Sequence, residues 1–103
     1  MAMKTFKMNE IFMDEKCIGG KANGSFFRSE VQIAVSKGEV IIDFEGVELI
    51  TQSFSDEFLG PILAHEGQEA FRHIKFRGCS EGVQAVILST AHRFLSDCQT
   101  ISN

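Results

Sequence analysis

The chain has 103 residues, is 44% apolar and carries a formal net charge of −4, from 10 Lys and Arg against 14 Asp and Glu. That length suits one domain, residues 1–103, and not two. Nucleic acid is not an expected partner, because an acidic chain without a Lys/Arg cluster cannot neutralise phosphates, and no apolar run nears the roughly 18 residues that would span a membrane.

In chain order, residues 3–8 alternate weakly, with Phe6 and Met8 on one side, and predict a first strand. Residues 9–24 carry turn signals at Gly19-Gly20 and Asn23-Gly24, with a weak second strand near 14–18. Ser25 can cap a helix over about 26–36, with Phe27, Val31, Ala34 and Val35 on one face. Lys37-Gly38 ends that helix. Val40 to Phe44 form a nearly uninterrupted apolar strand, a type that is usually covered on both faces. A helix opens near Ser53, with Phe54, Phe58 and Ile62 in one stripe and Leu59 and Leu63 beside it. Pro61 interrupts this stripe and predicts a kink or break near Gly60, and Gly67 marks the end. Residues 72–77 alternate as a peripheral strand. Ser80 caps the clearest helix, about 81–98, whose stripe holds Val83, Val86, Ile87, Thr90, Ala91, Phe94, Leu95 and Cys98. The polar tail, residues 99–103, is expected to fray.

Helices that follow strands imply crossover connections. The fold class is therefore α/β, a small mixed and mostly parallel sheet packed by about three helices, with an antiparallel contribution from the N-terminal strands. The ten Phe, unaccompanied by Trp or Tyr, bring apolar area without a polar handle, so they belong in a core rather than on a base-stacking platform. Cys17, Cys79 and Cys98 are odd in number and widely spaced. With no signal peptide, they are expected to be reduced thiols in a cytoplasmic protein.

The stretch 40–60 concentrates the chemistry. A strand ends in Asp43, a turn runs through Glu45-Gly46-Val47-Glu48, and Thr51-Gln52-Ser53 lead into a helix. Helix starts beyond strand carboxyl ends are where α/β folds bind anions and partners. Ser53 reads first as the helix N-cap, with Asp56 at the third helical position in a capping-box variant. The same serine can also serve as a phosphorylation or docking site. Asp56 and Glu57 read as a solvated first turn or as an acidic docking patch, and they would repel a phosphate on Ser53. Asp43 is expected to bond the turn amides near Gly46. Arg28-Ser29-Glu30 reads as a solvated helix face. His65, His73 and His92 lack metal-ligand spacing, so no metal and no cofactor are expected. No acid–base or nucleophile–base pair can be assembled from the motifs, so no enzymatic activity is expected.

Three segments carry a resemblance to a known family: Gly24-Ser25 with Phe27-Arg28-Ser29, Asp43-Phe44-Glu45-Gly46-Val47, and Gln52-Ser53-Phe54-Ser55-Asp56-Glu57-Phe58. Over about residues 20–95 the chain resembles the STAS fold family of anti-sigma factor antagonists, and within it the divergent branch termed the STAS-like domain of unknown function. Ser53 falls where the family's regulatory phosphoserine lies. Thr51-Gln52 stand where the family has an aspartate-serine pair, and Phe54 stands where it has glycine, a ring expected to reshape the docking surface.

The resemblance implies a regulatory protein-binding module in a partner-switching signalling system. Its partner would be a histidine-kinase-like ATPase or a similar regulator, bound by Glu48, Thr51, Gln52, Ser53, Phe54, Asp56 and Glu57. The alternative is a small-molecule or nucleotide-binding module that holds an anion at the helix start near Ser53. A homodimer stays open.

Overall fold

The structure is a computed structural model that describes the backbone of residues 2–102 and the side chains of residues 3–95. The elements, in order, are β1 (Ala2–Lys7), α1 (Met8–Ile11), β2 (Cys17–Ile18), α2 (Lys21–Val35), β3 (Gly38–Asp43), β4 (Leu49–Ile50), α3 (Gln52–Glu66), a 3-10 turn (Gly67–Glu69), α4 (Ala70–His73), β5 (Ile74–Arg77) and α5 (Glu81–Ser102).

The class is the α/β expected, but the strands form two small sheets. The larger has the order β1-β3-β5, and the smaller pairs β2 with β4. Every pair is parallel, with Phe6 opposite Ile42, Ile42 opposite Phe76 and Ile18 opposite Ile50. The expected antiparallel contribution from the N-terminal strands is therefore absent among the described residues. β1 and β3 are joined through α1, β2 and α2, a connection long enough for a parallel crossover, whereas an antiparallel pair needs only a short turn.

The larger sheet is covered on one face, not two. Phe6, Val40, Ile42 and Ile74 point inward and are buried, while Thr5, Lys7, Lys75 and Arg77 on the opposite face are exposed. Ile41 lies between Thr5 and Lys75 on that outer face and is only half-buried. The apolar run in β3 thus reflects partial shelter by its neighbours in the sheet. α2 packs on α3, and α3 on α5.

Phenylalanine fills the space between sheet and helices, as its lack of a polar group predicts. Phe6 meets Phe27 edge-on at 5.3 Å, Phe27 meets Phe58 at 4.8 Å, and Phe12 meets Phe54 at 5.8 Å.

α2 starts at Lys21, five residues before the expected 26, with Gly20 as its N-cap at φ +96°. Ser25 lies inside this helix and not at its cap; its carbonyl accepts a bond from Ser29 Oγ. Gly24 faces α3 at a close crossing. A Cβ there would lie 2.7 Å from the Phe54 carbonyl oxygen. α3 runs unbroken through Pro61 to Glu66, so of the expected kink or break the break does not occur. The 3.6-residue stripe locates α5 correctly, and Ser80 Oγ accepts the capping bond from Val83 N–H at 3.1 Å. The tail expected to fray continues as helix to Ser102. Cys17 and Cys79 are unpaired, while the Cys98 side chain lies outside the described residues. Among the described residues no helix is long and apolar enough to cross a membrane.

Candidate functional site

The start of α3 is held from three directions. Thr51 is the N-cap, in extended conformation, and its Oγ1 accepts the Phe54 N–H at 3.2 Å. The same oxygen accepts the Gly20 N–H at 3.3 Å, and Thr51 N–H donates to the Ile18 carbonyl at 2.9 Å. Gly19 presses against the Thr51 methyl so closely that a Cβ would come within 2.8 Å of it. The preceding loop is tied as well. Glu48 N–H and Leu49 N–H share the Lys16 carbonyl, and Ser80 Oγ donates to the Glu48 carbonyl at 2.7 Å.

This corrects the assignment of the cap. Capping needs an oxygen one residue before the helix, within reach of the third helical N–H. Thr51 meets that condition, whereas Ser53 is already the second helical residue. Ser53 is exposed, and its hydroxyl lies 3.2 Å from Thr51 Oγ1. Asp56 and Glu57 consequently sit in the second turn of α3 and not in the first.

Both carboxylates already have partners inside the chain. Asp56 Oδ1 accepts from Gln52 Nε2 at 2.9 Å and from Thr90 Oγ1 at 2.8 Å, and Oδ2 pairs with Arg93. Thr90 is fully buried in α5. It has one proton, given to Asp56, so the 2.7 Å contact with buried Ser55 makes Ser55 the donor. Gln52 Nε2 completes the set by donating to Thr90 at 2.9 Å. Burial pushes the Asp56 carboxyl up, but the bonds from Arg93, Gln52 and Thr90, with the positive charge of Arg93, outweigh it and hold the group below the usual carboxylate range. Glu57 pairs with Arg28 of α2 at 3.4 Å. Arg28, expected on a solvated face, is thus drawn into the α2–α3 contact.

Of the residues expected to form a docking surface, Phe54 is fully buried among Phe12, Phe27 and Phe58 and cannot present its ring to a partner. The ring therefore fills the core and does not reshape the surface. Thr51, Gln52, Asp56 and Glu57 are half-buried and bonded internally. Glu48 and Ser53 remain exposed, and between them Leu49 of β4, an apolar side chain outside the expected docking set, is 44% exposed. Arg93 was not singled out, while Thr90 was read only as part of the α5 stripe and Arg28 only as a solvated face. One signal was present for Thr90, a hydroxyl in the middle of an otherwise apolar stripe.

Asp43 does what its position predicts. Its Oδ1 accepts the Glu45 N–H at 2.9 Å, and its Oδ2 pairs with Arg77 at 3.2 Å. Burial, with the Asp43 charge nearby, pushes the Cys79 thiol up, which makes it a poor nucleophile. No group of three or more His, Cys, Asp or Glu among the described residues could hold a metal ion. The Phe54 N–H, which an anion at this helix start would use, is taken by Thr51.

No curated protein and no solved structure matches the chain. The model of one family does, the STAS-like domain of unknown function (DUF4325), over residues 23–84. The matched span runs from the α2–α3 crossing at Gly24 through β3, the Asp43 turn and the whole of α3 to the Ser80 cap. It covers more than half of the chain, which therefore belongs to the family of the STAS-like domain of unknown function.

Proposed function

We propose that this domain is a regulatory protein-binding module without catalytic activity, which docks its partner through residues 48–53 and the exposed side of the first turn of α3. The observation that carries this reading is the exposure of Ser53. Its hydroxyl is exposed at the second helical position, on a base where Thr51, Gln52, Asp56 and Glu57 are already fixed by internal bonds. A surface held in place before binding loses little entropy on docking, and Glu48 and Leu49 beside it offer one charge and one apolar contact. A cytoplasmic setting, in which the thiols of Cys17 and Cys79 stay reduced, fits this role.

The partner implied by the resemblance is a histidine-kinase-like ATPase, with Ser53 as the residue it phosphorylates. The pairing of Asp56 with Arg93 and of Glu57 with Arg28 removes most of the repulsion that the sequence alone suggests against a phosphate on Ser53. A phosphate near the helix N-terminus is favoured by the helix dipole. Phosphorylation would therefore leave the fold intact and act on the docking surface, through added charge and bulk. The test is to isolate the partner ATPase from the source cell and titrate it calorimetrically with wild-type protein and with Ser53→Asp. The expected result is an affinity lower by about tenfold or more, equal to about 1.4 kcal/mol, with unchanged circular dichroism. Equal affinity would reject the reading.

A further inference from the structure

β1 is an edge strand of the larger sheet. β1 pairs with β3 on one side, and no strand among the described residues pairs with the other. Two hollows of about 510 and 340 Å³ run along this edge, between β1 and α2, and share Lys4, Phe6 and Glu30 in their walls. Phe26 and Ile33 of α2 line them and are 52% and 58% exposed, although both are large apolar side chains. Free main-chain donors and acceptors beside exposed apolar groups form a template for another strand.

The charges narrow the choice of occupant. The two hollows carry Lys4, Lys7 and Lys37 against Glu10, Glu30 and Glu39, a balanced set on a chain whose net charge is −4. A strongly acidic or basic partner would leave half of these unanswered. A second copy answers all of them, because a two-fold axis brings each surface to its own mirror role. We infer that this edge is a homodimer interface, in which β1 of two copies pair antiparallel and their α2 helices lie side by side above the joined sheet.

The register follows from the side chains. Phe6 packs on Phe27 of α2, and Lys4 lies 5.5 Å above the Phe6 ring, so both point toward the helices, while Met3, Thr5 and Lys7 point to the opposite face. Residues directly opposite in an antiparallel pair share a face. Centring the pair on Lys4 would set like charges against each other. Centring it on Phe6 would run out of strand at Lys7. Centring it on Thr5 uses residues 3–7 and sets Lys4 against Phe6 of the second copy, repeating the cation–ring contact already made within one chain. Phe26, Glu30 and Ile33 lie on one face of α2 at i, i+4 and i+7. The two helices would bury Phe26 and Ile33 together and bring Glu30 toward Lys4 of the other copy.

Light scattering and equilibrium sedimentation over a concentration series test this directly. The wild-type mass is expected to rise toward twice the 11.5 kDa of the chain. Ile33→Asp should remain at the monomer mass with an unchanged melting curve, since the side chain is exposed in one copy. Lys4→Glu should weaken association by about tenfold or more, and adding Glu30→Lys should restore it in part, because the double exchange recreates the ion pair but not the cation–ring contact. A wild-type mass that stays at one chain throughout, or a dimer that persists in both Ile33→Asp and Lys4→Glu, overturns the inference. This interface does not depend on the role of Ser53, and the sedimentation result stands whatever that serine binds.

Discussion

The guanidinium of Arg28 donates to the main-chain carbonyl of Glu57, the carbonyl that Pro61 leaves without a helical donor. In a regular helix the Glu57 oxygen would accept the N–H of residue 61, but proline has none. An unpaired main-chain oxygen at a helix contact costs about 1–3 kcal/mol, and Arg28 supplies the missing bond from the neighbouring helix while also pairing with the Glu57 carboxylate. This substitution of one donor for another explains why α3 continues through Pro61. Arg28→Ala is expected to destabilise the protein by about 1–3 kcal/mol in urea unfolding. The same change made with Pro61→Ala should cost clearly less, since residue 61 would then bond Glu57 itself. Additive losses in that double-mutant cycle would show the two residues to be uncoupled.

Asp56 gives the fold a definite response to acid. Its carboxyl is held below its usual range, so the sign is that of a depressed acid: the stabilisation is fully present above the unfolded value, near pH 4, and is lost as pH falls through the lower folded value. Asp56→Asn keeps an oxygen for Thr90 but loses the charge that faces Arg93. Melting curves from pH 7 to pH 3 should therefore show the variant less stable at neutral pH, with the gap to wild type closing below about pH 4. A gap of constant size across that range would remove the charged pair from the explanation.

Gly24 and Gly60 both sit where a side chain would collide, yet the two collisions differ in kind. A Cβ at Gly24 meets the Phe54 carbonyl oxygen at 2.7 Å and Glu57 Cβ at 2.8 Å, atoms fixed in α3. A Cβ at Gly60 meets the Phe94 ring at 2.6 Å, the far end of a half-buried side chain that can rotate. Alanine is the better helix former by about 1 kcal/mol, while overpacking costs about 1–3 kcal/mol. Gly24→Ala should lose stability on balance, because α2 and α3 must move apart. Gly60→Ala should come closer to neutral. Thermal unfolding of the two variants ranks them, and the reverse order would place the rigid contact at α5.

The contrast between periodic and non-local features sets what can be read from the chain. The stripe of α5, its Ser80 cap, the end of α3 at Gly67 and the Asp43 turn each depend on residues a few positions apart, so the sequence displays them. The parallel β2–β4 pair has two residues per strand and no period to detect. The early start of α2 depends on Gly20 turning the chain against Thr51, a contact 31 residues away. The docking set contained one error of a different origin. The stripe of Phe54, Phe58 and Ile62 already set this ring on the buried face, and only the resemblance, which has glycine at that position, put it on the docking surface. The Thr90 and Arg93 partners of Asp56 come from α5 and the Arg28 partner of Glu57 from α2, which no local pattern could reveal.

The two hydroxyls at the start of α3 separate stability from function. Thr51 Oγ1 receives the N–H groups of Phe54 and Gly20, and its methyl packs under Gly19. Thr51→Ala removes a helix cap and one loop contact together, and should cost about 1–2 kcal/mol. Thr51→Ser keeps the oxygen and should recover most of that loss. Among the described residues Ser53 has only the Thr51 hydroxyl as a partner, and it is exposed, so Ser53→Ala should stay within about 0.5 kcal/mol of wild type. Ser53→Asp should be neutral or slightly stabilising, by about 0.3–1 kcal/mol, because a negative charge near a helix N-terminus is favoured. Urea unfolding of the four variants distinguishes the roles. If Ser53→Ala lost as much as Thr51→Ala, the hydroxyl of Ser53 would be needed for the fold and would not be free to act as a docking switch. If only Thr51→Ala is costly, any effect of Ser53 variants on partner affinity belongs to the surface and not to the stability of the helix beneath it.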